Sequence, residues 1–179
     1  MAEPKLPPPG ALVCAIMGRC DAPWNDALEL LGERWGEVVL VGPDYPFTFS
    51  TYYQAEMGDG LRKRLFLWEG LLPQEALKEA KLFSNGVEAR LAGPGGCRRV
   101  NIDPGLLTLH NLVLATAKGY AHRIYMGGGI YGELTLLYQD GGFKALPWTY
   151  PDYRSEEVMG FMGRARTWLR ERLKARGYL

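Results

Sequence analysis

The chain has 179 residues, with 21 Lys plus Arg against 20 Asp plus Glu and a formal net charge of +1. That balance argues against a protein that coats nucleic acid, which carries a basic excess. Its 23 glycines and 12 prolines make up about a fifth of the chain, against roughly 12 % in ordinary proteins, yet 47 % hydrophobic and 12 % aromatic residues exclude a disordered chain.

Residues Met1 to Gly10 hold four prolines and read as a flexible arm (1–10) ahead of a single domain (11–179). Ala11 to Met17 is a continuous apolar run closed by Gly18, the pattern of a buried strand. It lacks the basic flank and small-residue cleavage site of a signal peptide, and no stretch reaches the roughly 20 apolar residues that span a bilayer. Cys14, Cys20 and Cys97 are odd in number and form no CxxC pair, so they read as reduced thiols of a cytoplasmic protein.

Trp24, Ala27, Leu28, Leu31 and Trp35 fall at helical spacing, with Asp21 as the expected N-cap. Val38–Val41 reads as a second strand, Gly42–Met57 as an aromatic, turn-rich loop or irregular extension, and Leu61–Trp68 as a third strand. Pro73 opens a second helix with an apolar stripe at Leu77, Ala80, Val87 and Leu91, ended by Gly93-Pro-Gly-Gly96. Arg99–Asp103 reads as a fourth strand stopped by Pro104-Gly105. This order is β-α-β-β-α-β, that of a ferredoxin-like α+β fold.

Leu106–Lys118 fits either a helix or a strand. His122–Met126, Gly127–Gly129 and Ile130–Tyr138 read as a β-hairpin with a glycine turn. Phe143–Arg154 is aromatic, carries Pro147 and Pro151, and is expected to be extended and irregular. An amphipathic helix closes the chain, capped by Ser155, with Val158, Phe161, Met162, Ala165, Leu169 and Leu173 on its apolar face.

Several groups carry candidate chemistry. The clusters Gly93–Gly96 and Gly127–Gly129 do not match GxxxxGK[ST], and turn glycines explain both. A three-residue hairpin loop sets Arg123 opposite Glu133 and Tyr125 opposite Tyr131 on one face, with His122 pointing the other way; a two-residue loop changes that register. Lys81, Asn85 and Glu88 share one helix face, ordinarily a solvated one. Asp103, Glu133 and Asp152, with His122, offer oxygen and nitrogen donors for a divalent cation or for acid–base work, although no ligand spacing links them. Trp148–Arg154 is rich in aromatics for lining a pocket or packing the core. No GxSxG or spaced Ser/Cys–His pair points to nucleophilic catalysis.

The segments FTFSTYYQAEMG (47–58), VNIDPGLLTL (100–109), LVLATAKGYAHRIYMGGGIYGELTLLY (112–138) and WTYPDYR (148–154) resemble domain-of-unknown-function family 4416. The resemblance implies a small bacterial protein of a group often labelled "GTP-binding protein" by automatic transfer. It assigns no catalytic residue. The chain carries no Walker A loop and no Asn-Lys-x-Asp motif.

The resulting expectation is a cytoplasmic protein that binds a small phosphorylated ligand, such as GTP, at a site without a P-loop. Arg123, Tyr125, Tyr131 and Glu133 form its centre, with Lys81, Asn85, Asp103 and Asp152 around them. Arg123 clamps phosphate, the tyrosines stack or hydrogen-bond, and the carboxylates hold Mg²⁺. The alternative is a protein- or RNA-interaction module that uses a sheet edge or Arg170, Arg172, Lys174 and Arg176 at the end of the last helix.

Overall fold

The computed structural model describes residues 3–179. Its fold is mixed α and β, built on an eight-stranded antiparallel sheet. In chain order the elements are β1 (Gly10–Gly18), α1 (Trp24–Trp35), β2 (Val38–Pro46), the short α2 (Gln54–Met57), β3 (Arg62–Leu72), α3 (Leu77–Arg90), β4 (Val100–Leu107), β5 (Asn111–Thr116), β6 (Arg123–Gly127), β7 (Ile130–Gln139), β8 (Gly142–Ala145) and α4 (Glu156–Ala175). The strands lie in the order β2-β3-β1-β4-β5-β7-β6, and β8 also pairs with β7.

The unbroken apolar run of β1 has a simple cause, since the strand is covered on both faces. Leu12, Cys14 and Ile16 pack with Ala27, Leu31 and Trp35 of α1 and with Ala80 and Val87 of α3. Ala11, Val13 and Ala15 face the other way, toward Val158, Phe161, Ala165 and Leu169 of α4. The sheet therefore separates α1 and α3 from α4. All six apolar residues expected on the last helix are buried, and Ser155 Oγ accepts from Val158 N at its start.

Some local expectations need correction. Asp21 does not cap α1; the helix begins after Pro23 with no side-chain cap, and Asp21 pairs with Arg19 instead. The Gly42–Met57 segment is not all loop, because β2 continues to Pro46 and α2 follows. The second helix starts at Leu77, after a 3₁₀ turn at Gln74–Ala76. The ambiguous stretch resolves as the end of β4, a turn and β5. His110 N and Asn111 N both donate to Thr108 Oγ1 in that turn, so the segment reverses direction and cannot continue as a helix.

Pro104-Gly105 does not stop the fourth strand, which runs to Leu107. The reason is a fork in the sheet. β4 pairs with β1 along its whole length, Val100 opposite Gly18 through Leu107 opposite Ala11. It pairs with β5 only from Gly105 onward, while β5 continues beside β7 to Thr116. Pro104 thus lies where its missing N–H has no strand to meet, the place a sheet admits proline. Gly105 sits at the crotch of the fork, where an added Cβ would come within 2.7 Å of Leu114.

Candidate functional site

The fork leaves the β5-facing edge of Ile102 without a strand. Two side chains of α3 take its place. Ile102 N donates to Glu88 Oε1 at 2.6 Å, and Lys81 Nζ donates to Ile102 O at 2.7 Å. A buried backbone pair must be satisfied somewhere, and here charged side chains do it. This corrects the reading of Lys81, Asn85 and Glu88 as a solvated face. Lys81 is 5 % exposed, and all three turn inward.

A cavity of about 370 Å³ occupies the fork. Its wall carries charges of both signs, with Lys63, Lys81, Arg98, Lys118 and Arg123 against Glu88, Asp103, Glu133 and Asp152. Phe47, Phe49, Tyr52 and Tyr53 cover one side, from the segment between β2 and β3, and Tyr150 and Tyr153 another. A volume of this size suits a small organic ligand.

The charges are held in place by specific partners. Lys81 Nζ lies 3.2 Å from Asp103 Oδ1, whose Oδ2 accepts from Asn101 Nδ2 at 2.6 Å. Arg98 donates to Asn101 Oδ1 at 2.8 Å and pairs with Glu56 of α2, tying the aromatic segment to β4. Lys63 Nζ lies 2.6 Å from Asp152 Oδ2, which also accepts from the Tyr45 hydroxyl at 2.9 Å. Arg123 donates to Glu133 Oε2 at 2.7 Å, to Lys118 O at 2.9 Å and to the Tyr150 hydroxyl at 2.8 Å. Arg154 donates to the carbonyls of Leu146, Pro147 and Thr149, and this fixes the loop that presents Tyr150, Asp152 and Tyr153. Lys118 stands apart. It has no carboxylate partner among the described residues, and its Nζ lies 3.6 Å from the centre of the Tyr52 ring.

Burial works against the Asp103 carboxylate, but the charges of Lys81 and Lys63 and the Asn101 amide outweigh it and hold its pKa below the ordinary 3.8. Burial dominates at Glu88 and raises its carboxyl in spite of Lys81 and the Ile102 N–H. Burial also raises the Tyr53 and Tyr150 hydroxyls, so both stay protonated at neutral pH. A depressed folded-state pKa at Asp103 means stability that is present above pH ~4 and lost as the pH falls through that lower value. Asp103→Asn is therefore expected to be less stable than the parent at pH 7. The gap should close as the pH drops below about 4, measured by urea unfolding across pH 2.5–7.

Six of the eight residues expected at the site line this one cavity: Lys81, Asn85, Asp103, Arg123, Glu133 and Asp152. Tyr125 and Tyr131 do not. They oppose each other across the hairpin, as Arg123 opposes Glu133, but they lie farther toward its tip, and Tyr125 is 60 % exposed. His122 does not point away from the hairpin face. It precedes β6, so strand alternation does not govern it, and its Nε2 lies 3.0 Å from Glu133 Oε2 while its ring stacks on Trp148.

The carboxylates do not form a preformed Mg²⁺ site. Each is engaged by a cation, and among the described residues no three His, Cys, Asp or Glu side chains are grouped to hold a metal. The sequence reading missed Lys63, Arg98, Asn101 and Lys118 at the wall, while Tyr153 comes from the Trp148–Arg154 segment it offered as a pocket lining. Lys63 left a signal, because it shares a strand face with Leu65 and Leu67, both fully buried. Outside the cavity, Arg170, Arg172, Lys174 and Arg176 are exposed at the end of α4, and Cys14, Cys20 and Cys97 are all free. No helix among the described residues is long and apolar enough to cross a membrane.

Comparison with known proteins gives a family and no activity. No curated protein and no solved structure matches the chain. A family model described as "Domain of unknown function (DUF4416)" matches residues 8–168, so the chain belongs to that family.

Proposed function

We propose that the cavity in the sheet fork binds a small phosphorylated ligand, with a nucleotide such as GTP as the first candidate. The observation that carries this reading is the convergence of five cationic side chains and an aromatic wall on one cavity. Lys118, free of a carboxylate partner among the described residues, supplies uncompensated charge, and Arg98 and Arg123 keep N–H donors beyond those used within the protein. Phe47, Phe49 and Tyr52 offer apolar ring faces to a base or another planar group.

The proposal extends to architecture and place. Residues 10–107 fit a ferredoxin-like unit, supported by the order β2-β3-β1-β4 and by α1 and α3 on one face. Three unpaired cysteines support a cytoplasmic location.

Thermal unfolding with GTP, ATP and ribose 5-phosphate tests the binding. A ligand at 100 times its Kd stabilises by about 2.7 kcal/mol, a shift on the order of 5–10 °C for a chain of this length. Lys118→Ala is expected to weaken the interaction by on the order of tenfold with little change in the stability of the free protein, because Lys118 is exposed. No shift with any of these ligands at millimolar concentration would contradict the proposal.

A further inference from the structure

Three buried side-chain polar atoms have no hydrogen-bond partner among the described residues: Trp68 Nε1, Glu133 Oε1 and the Tyr153 hydroxyl. Trp68 lies with Trp35 and Phe66 in the core on the α1 side of the sheet. The other two belong to residues of the cavity wall, one on β7 and one on the turn Pro151–Arg154. Glu133 and Tyr153 are each 1 % exposed, so bulk water does not serve them. An unpaired buried acceptor or hydroxyl is destabilising, a cost that persists where function uses the group.

We propose that Glu133 and Tyr153 determine the specificity of the cavity, and that its ligand is a phosphorylated compound presenting a hydroxyl or amino donor to Glu133 Oε1. The inference rests on the reading under Proposed function and adds the chemistry of the ligand's second end. The division of labour within Glu133 supports it. Oε2 receives Arg123 Nε at 2.7 Å and lies 3.0 Å from His122 Nε2, which fixes the carboxylate's orientation. Oε1 is left as an acceptor without a partner on a residue of the cavity wall. An acceptor there selects a polyol, an amine or a base edge with an N–H, and it repels a second anionic group. The ligand thus carries its phosphate toward Lys118 and buries a neutral donor at Glu133. Tyr153 adds, elsewhere on the same wall, a hydroxyl that can donate or accept.

Two substitutions test this. Glu133→Gln inverts the polarity of the free position. Arg123 Nε–H needs an acceptor, so the amide oxygen stays at Oε2 and the NH₂ group takes the place of Oε1. Titration calorimetry would compare donor-bearing phosphates (ribose 5-phosphate, AMP) with donor-free ones (methyl phosphate, phenyl phosphate). Donor-bearing ligands should bind the parent on the order of tenfold or more tighter, and Glu133→Gln should erase that advantage while leaving donor-free binding nearly unchanged. Tyr153→Phe should raise the Tm of the free protein by about 2–4 °C, because an unpaired buried hydroxyl is removed, and weaken donor-bearing ligands. A lower Tm for Tyr153→Phe would show that the hydroxyl has a partner inside the fold and would overturn its role. Binding of both ligand sets without discrimination would overturn this inference alone. Binding of neither set would overturn the underlying reading and this inference with it. Discrimination by the parent protein separates these outcomes even where Glu133→Gln does not fold.

Discussion

Asp152→Ala is expected to destabilise the protein by about 3–5 kcal/mol, read as a lower urea midpoint at unchanged m-value. The Lys63 and Asp152 side chains are 9 % and 1 % exposed, and their charged atoms lie 2.6 Å apart. Attraction between such groups scarcely repays their removal from water, so the pair itself adds little net stability. Removing one partner is different. Lys63 would remain at the cavity wall without a hydrogen-bonded carboxylate, against the Tyr153 ring at 4.8 Å and the Phe47 ring at 5.4 Å and with Asp103 farther off, and the Tyr45 hydroxyl would lose its acceptor. The double variant Lys63→Met with Asp152→Leu should recover most of the loss, since it leaves no buried charge behind. A single variant as stable as the parent would show that water already reaches the pair.

Lys81→Met should cost about 2–3 kcal/mol for a related reason. Lys81 closes the fork by donating to Ile102 O at 2.7 Å and by sitting 3.2 Å from Asp103. Methionine preserves the buried stem but leaves a strand carbonyl without a donor and Asp103 without its nearest cation. The variant should also lose part of the depression of the Asp103 pKa, because Lys81 is the largest of the influences that lower it. NMR titration of Asp103 in parent and variant measures this directly. An unchanged pKa would place the stabilising charge elsewhere, on Lys63 first.

Both effects arise at the fork, where local sequence pattern is least informative. Local pattern was enough for β1, whose apolar run needs two covered faces, and for α4, whose apolar positions recur at helical spacing. It put Arg123 opposite Glu133 and Tyr125 opposite Tyr131 by way of a three-residue loop, whereas the turn closes Gly127 against Ile130 over two residues and a bulge between Tyr125 and Gly127 restores those pairs. It failed at Pro104-Gly105. A proline next to a glycine ordinarily ends a strand, and only the departure of β5 makes the position acceptable. The same missing contact misled the reading of α3. Lys81 and Glu88 look like a solvated pair until the neighbouring strand is absent, and they then become the partners of Ile102. Cavity residues such as Lys63, Arg98 and Lys118 come from distant segments, and no spacing along the chain joins them.

The central claim, that the fork cavity is a binding site for a phosphorylated ligand, is tested most directly by titrating ¹⁵N-labelled protein with GTP and following the amide spectrum. The account predicts saturable shifts clustered at Tyr52, Asn85, Lys118, Arg123 and Tyr153, with the end of α4 unmoved. Shifts confined to Arg170–Arg176, or none at millimolar GTP, ATP and ribose 5-phosphate, would contradict it.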